Sequence, residues 1–170
     1  MTVGHGTADQ AELTALLRGA GVARLVDVRR YPGSRAHPHV GREAMTAWLP
    51  AAGIAYRWDE RLGGRRRLPE ESPDLWWRVP SFRAYAGHMR TPEFADAVAD
   101  LLTDLDAAPT AIMCSESVWW RCHRRLIADF VTSVPKRAVG HLQHDGRVTE
   151  HPVADGARLS ADGLLYYDRA

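Results

Sequence analysis

The chain has 170 residues, 45% of them hydrophobic and 25% charged, with a formal net charge of +1. Those values fit one globular domain able to bury most of its apolar surface, and they exclude a global pull toward nucleic acid or anionic membrane. Two cysteines are too few for a disulfide framework, and no signal peptide or bilayer-length apolar run is visible, so a reducing cytoplasm is the expected compartment.

The opening TVGHGT reads as a short strand ending in glycines. AELTALLRGAG follows with Leu13, Leu16 and Leu17 at helical spacing and a glycine stop. VARLVDVRR is a β-branched run expected to form a buried strand, broken by the prolines and glycine of YPGSRAHPH. GREAMTAWLPAAG is a second helix and IAYRWDE a further strand. LGGRRRLPEESPDLWWRVPS is then a long polar loop, a length that in a compact domain is often functional.

FRAYAGHMRTPEFADAVADLLTDLDAA is helical, with a fresh N-cap expected at Thr91-Pro92. TAIMCSE is a strand and WWRCHRRLIADFVTS a helix whose apolar stripe runs through Cys122, Leu126, Ile127 and Phe130. RAVGHLQ is a last strand, and the Asp-Gly turn of HDGRV leads into a hairpin or an irregular tail. Strands alternating with helices predict one α/β domain with three layers (α/β/α) around a mainly parallel, Rossmann-like sheet. Ligands of such sheets gather beyond the carboxyl ends of the strands, which here carry GHGT, RRYPGSR and CSE.

Cys114 ends a hydrophobic strand and precedes a helix, near unpaired backbone N–H groups and the arginines at 121, 124 and 125. That setting favours a thiolate nucleophile, although buried cysteines often only pack. His123 could complete a thiolate–imidazolium couple, and Cys122 is expected in the core. A metal is not expected, since the spacing is not CxxC and adjacent Cys-His ligands are awkward to converge. Arg29, Arg30, Ser34 and Arg35, then Gly63, Gly64 and Arg65, sit around glycine turns, where guanidinium forks and backbone N–H groups bind phosphate or carboxylate. Arg66 and Arg67 read as solvated loop charges. Asp27 is too costly to bury alone, so it is expected to pair with an arginine, orient a histidine or act as a base. Trp76, Trp77, Trp119 and Trp120 could stack on a base, although tryptophans usually serve cores and interfaces.

Five segments in order, VDVRRYPGSRAHPHV, GIAYRWDERLGGRR, FRAYAGHMRTPEFADAV, IMCSESVWWRCHRRLIAD and GHLQHDG, resemble the DUF488 family. The family pattern is similar to TIGHS, VDVRxxPxSR, LGG, FxxYAxYM and MCxExxxxxCHRxxI. The resemblance implies a cytoplasmic bacterial or archaeal α/β domain and carries no settled reaction. It marks His5, Asp27, Arg29, Pro32, Ser34 and Arg35, then Leu62, Gly63, Gly64, Tyr85 and Met89, and finally Cys114, Glu116, Cys122, His123, Arg124 and His141. Thr7, His88 and the pair Trp119–Trp120 depart from that pattern.

Together these readings place Cys114 as nucleophile, His123 as acid/base, and Glu116 or Asp27 as the group orienting the histidine. His5, Arg29, Ser34, Arg35, Gly63, Gly64, Arg65 and Arg124 would make the anion pocket. The expected function is that of a Cys/His-dependent hydrolase or transferase acting on a phosphate- or carboxylate-bearing substrate such as a nucleotide or nucleic acid. Its cofactor and oligomeric state stay undetermined. The rival readings are a non-catalytic nucleic-acid-binding module and a Cys/His metal or haem protein.

Overall fold

The computed structural model describes residues 1–169. Its first part alternates β1 (Thr2–Gly4), α1 (Gln10–Gly19), β2 (Arg24–Asp27), α2 (Arg42–Ala51) and β3 (Ala55–Trp58). After the long loop come α3 (Pro80–His88), α4 (Pro92–Ala107), β4 (Thr110–Cys114) and α5 (Arg124–Ser133). Four short strands close the chain: β5 (Gly140–Leu142), β6 (Val148–Glu150), β7 (Ala157–Leu159) and β8 (Leu165–Tyr167).

The main sheet runs β3-β2-β4-β1-β5-β6, parallel except for β6. Side chains alternate across it with the period of two that a pleated strand imposes. Along β4, Ala111 and Met113 join a core with Leu13 and Leu17 of α1 and Met45 and Leu49 of α2. Ile112 and Cys114 face the other way, into a core with Tyr85 of α3, Phe94 and Val98 of α4, and Leu126 and Ile127 of α5. The result is the expected three-layer α/β fold. Each fully buried leucine in these layers contributes roughly 1.5–3 kcal/mol.

Local chemistry accounts for the boundaries. Asp9 and Glu12 cap α1 reciprocally, and the Thr91 hydroxyl accepts the Phe94 N–H at 3.3 Å, so the predicted helix over 82–108 splits into α3 and α4. Gly146 takes a left-handed φ of 83° in the Asp-Gly turn that folds β6 back onto β5. β7 and β8 form a separate hairpin.

One boundary differs from expectation in a way that matters. The helix predicted from Trp119 begins only at Arg124, because residues 119–121 form a 3-10 turn and Cys122 is extended at φ −123°, ψ 148°. Trp119 stacks on His141 with ring centroids 4.0 Å apart and planes within 5°. Pinned there, the chain must step back across the sheet end before α5 can start. Cys122 therefore lies on no helical stripe.

Candidate functional site

The carboxyl ends of β2 and β4 are neighbours, since the Val28 N–H donates to the Met113 carbonyl at 2.9 Å. The loop after β3 and the segment between β4 and α5 close over them. Between these pieces lies a cavity of about 280 Å³, with Cys114, Cys122, His123, Arg30, Arg65 and Arg121 in its lining.

His123 organises the floor. Its Nε2 lies 3.0 Å from the Val28 carbonyl oxygen, which can only accept, so Nε2 carries a proton and Nδ1 is left to face the sulfurs. Nδ1 faces both sulfurs, 3.6 Å from Cys122 Sγ and 3.8 Å from Cys114 Sγ. The extended backbone at Cys122 brings its sulfur to this point. The neighbouring Cys114 side chain draws the Cys122 thiol well below its ordinary range against the opposing effect of burial. His123 and Arg124 add to that pull. The neighbouring Cys122, with burial, pushes the Cys114 thiol well above its ordinary range, so the thiolate expected at Cys114 falls to Cys122 instead. Both cysteines are free.

Two glycines let the loop come this close. A Cβ on Gly63 would lie 2.8 Å from the Arg30 Cα, and one on Gly64 would lie 3.0 Å from His123 Nδ1. The LGG segment thus earns its glycines by close approach rather than by an unusual backbone angle. Tyr85 seals the floor from α3, donating its hydroxyl to the Leu62 carbonyl at 2.6 Å with its ring 5.0 Å from that of His123.

The arginines divide into two sets. Arg29 is buried, and its guanidinium grips Asp27 through Nε at 2.8 Å and Nη2 at 2.6 Å. It also donates to the Val40 carbonyl at 2.7 Å and approaches His5 Nε2 at 3.3 Å. Arg124, 1% exposed, donates to the Glu116 carbonyl and, at 3.4 Å, to the Thr2 hydroxyl. Both are committed inside the fold, although Arg29 also borders the cavity. Arg30, Arg65 and Arg121 line the cavity and make no ion pair among the described residues. Arg30 and Arg65 lie over the Tyr31 ring at 6.0 and 5.8 Å. Arg65 holds a left-handed backbone, φ 58°, which a non-glycine residue adopts rarely.

The remaining expected residues fall as follows. Asp27 is fully buried, takes Arg29 on both oxygens and accepts the Tyr56 hydroxyl at 2.8 Å, so it orients an arginine rather than His123. Glu116 lines the cavity with an exposed side chain, and its backbone oxygen holds Arg124. The histidine is oriented by the Val28 carbonyl in place of either carboxylate. His5 is buried, with Nδ1 2.9 Å from the Gly6 carbonyl, and burial followed by the Arg29 charge lowers its pKa to about 4. It stays neutral beside Arg29. Ser34 accepts the His37 N–H at 3.0 Å within its own loop, and Arg35 is exposed; neither lines the cavity.

From sequence, Arg30 is noted only at the RRYPGSR turn, Arg121 only beside Cys114 and Tyr85 only in the family pattern, and none is assigned to the pocket; Cys122, expected in the core, lines the pocket as well. Strand alternation carries the signal for Arg30. Leu25, Asp27 and Arg29 point toward α1 and α2, so Val26, Val28 and Arg30 share the face of Ile112 and Cys114. Arg121 is marked only by its nearness to Cys114 along the chain.

Cys114 Sγ, Cys122 Sγ and His123 Nδ1 lie within 4.8 Å of one another, so adjacent residues do converge on one point here. Among the described residues no helix is long and apolar enough to cross a membrane. Residues 9–131 match the family described as "Domain of unknown function DUF488", and the chain belongs to that family. Neither a curated protein nor a solved structure gives a significant match.

Proposed function

We propose that the cavity is the active site of a Cys/His-dependent hydrolase or transferase acting on a phosphate- or carboxylate-bearing small molecule, a nucleotide being the leading class. One observation carries the reading: the trio of Cys114, Cys122 and His123 is the floor of a cavity into which Arg30, Arg65 and Arg121 bring charges spent on no carboxylate. Guanidinium groups without internal partners are suited to charge-assisted, bidentate binding of an anion. Their site faces the most reactive side chains in the molecule. The left-handed backbone of Arg65 costs of order 1–3 kcal/mol, and such strain tends to cluster at functional sites. A reducing cytoplasm is the compartment that keeps both thiols free.

The test is a turnover screen of phosphorylated and carboxylated metabolites. The activity found should be abolished by Cys122→Ala and by His123→Ala, lowered by Cys114→Ala and weakened by Arg30→Ala. Unchanged turnover in both of the first two variants would sink the reading.

A second reading has one observation of its own. Tyr31 is 65% exposed, with the Arg30 and Arg65 guanidinium groups near its ring. An exposed ring flanked by cations is a stacking platform for a base of single-stranded nucleic acid. Single-strand affinity that falls steeply with salt, with no turnover of any metabolite, would favour a binding module.

A further inference from the structure

The trio has a geometry that a thiol nucleophile does not require. A tetrahedral ion about 2.3 Å from sulfur and about 2.0–2.1 Å from an imidazole nitrogen sets S···N edges of about 3.6 Å and an S···S edge of about 3.8 Å. The two S···N separations here are 3.6 and 3.8 Å, and the whole trio spans no more than 4.8 Å. A simple thiolate–imidazole couple needs one sulfur near the ring; here two converge on the same nitrogen.

The surroundings match as well. Metal-bound histidines almost always donate their other ring N–H to a carbonyl or carboxylate, which fixes the tautomer. His123 does so to Val28 at 3.0 Å. Gly64 keeps the Nδ1 side uncrowded, since any Cβ there would press to 3.0 Å on the ligating nitrogen. The trio sits where the core meets the cavity, with both sulfurs buried yet part of its lining, and the fourth tetrahedral corner is left to the side of Arg30, Arg65 and Arg121. Three protein ligands with a fourth position left to water or substrate is the pattern of catalytic rather than structural zinc.

We infer that Cys114 Sγ, Cys122 Sγ and His123 Nδ1 bind a thiophilic divalent cation of the zinc class, with its fourth position open to the anion pocket. The three-ligand site stands on its own geometry; only the identity of the fourth ligand, a water or an oxygen of an anionic substrate, rests on the function proposed above. Two thiolates cancel the charge of the ion, so the arginines keep their attraction for an anion. In that state the centre supplies a Lewis acid and an acidified water, with the sulfurs as ligands rather than nucleophiles.

The experiment is titration of the chelator-stripped full chain with zinc and with cobalt. The expected result is one ion per chain, the visible bands of tetrahedral cobalt with sulfur-to-cobalt charge transfer, and a fall in affinity of more than about 100-fold in Cys122→Ser. That fall exceeds the 10–100-fold caused by losing an outer partner. In the unmodified protein, where folding is not in question, zinc should also slow alkylation of both cysteines. Substoichiometric zinc, octahedral cobalt, or alkylation rates that zinc leaves unchanged would overturn the inference. Inorganic phosphate binding, measured separately with Arg30→Ala, separates the two claims. Zinc bound without phosphate leaves the metal site standing and removes the anion pocket, and phosphate bound without zinc does the reverse.

Discussion

Two polar clusters sit on either side of β1, and they differ in what their atoms still have to give. In the first, Tyr167 and His151 donate to the two oxygens of Asp129, each at 2.8 Å. His151 Nδ1 meets His141 Nε2 at 2.9 Å, and His141 Nδ1 meets the Thr2 hydroxyl at 2.7 Å. Every ring nitrogen is partnered. In the second, His123 Nδ1 faces sulfur, and three cavity arginines have no carboxylate partner among the described residues. Both clusters hold histidines of a kind that sequence alone would rate alike. Open valence, rather than residue type, separates a cluster that holds the fold from one that can act on a ligand.

The strongest way to break that comparison is Asp129→Ala. It strips the acceptor from His151, Tyr167 and the Ala154 N–H, which donates to Asp129 at 3.0 Å. Removing one partner from a buried charged network costs about 3–5 kcal/mol, so chemical denaturation should show a loss of that order. Phosphate affinity per folded molecule should stay as it was. A loss below about 1 kcal/mol would mean that the closed cluster does not hold the fold.

The mirror experiment is Arg121→Ala. A hydrogen bond to a charged group contributes about 1.5–3 kcal/mol, so affinity for inorganic phosphate should fall roughly 10- to 100-fold. Stability should move by no more than about 0.5 kcal/mol, as for an exposed side chain free of special features. Unchanged affinity with lost stability would reverse the roles assigned to the two clusters.

The closed cluster also has a pH signature. Burial, then the charges of His151, Arg124, the N-terminal ammonium and Arg125, lower the His141 pKa from 6.5 to about 3. Above pH 6.5 the ring is neutral whether the chain is folded or not, and the full stability is present. As pH falls below 6.5 the unfolded chain takes up a proton that the folded one refuses until about pH 3, so stability is lost across that window. One such group contributes a slope of at most about 1.4 kcal/mol per pH unit. His5, lowered to about 4, adds a slope of the same sign. Replacing His141 by Asn should flatten denaturation midpoints measured between pH 6 and 4.5. An unchanged slope would remove His141 from the closed set.

Much of this was legible in the sequence, for reasons that can be named. β-branched runs flanked by glycine marked β2 and β4, helical spacing marked α1 and α4, and Thr91-Pro92 marked the break between α3 and α4. Cys114 and His123 stood out because a strand end before a helix start is where ligands gather. Asp27 pairs with an arginine, as a buried carboxylate must. The illegible part was non-local. Cys122 faces Cys114 because α5 starts only after a 3-10 turn and an extended residue, beside a Trp119–His141 stack that joins residues far apart in the chain. Which arginines are spent likewise depends on carboxylates and carbonyls that only the tertiary fold brings near.

Arg35 gives the smallest effect and a sharp check on that last point. By sequence it equals Arg65: each follows a glycine turn in a loop beyond a strand. In the fold Arg65 lines the cavity, while Arg35 stands exposed outside it, beyond a turn held by the Ser34 hydroxyl. Arg35→Ala should therefore leave both stability and phosphate affinity unchanged at low salt, apart from a weak long-range effect that 0.15 M salt screens. Arg65→Ala should lower affinity at both salt concentrations, because a direct contact survives screening that a distant charge does not. If Arg35→Ala lowers affinity as much as Arg65→Ala at high salt, the loop closes over the ligand. The anion site would then extend to RRYPGSR, as the sequence suggested.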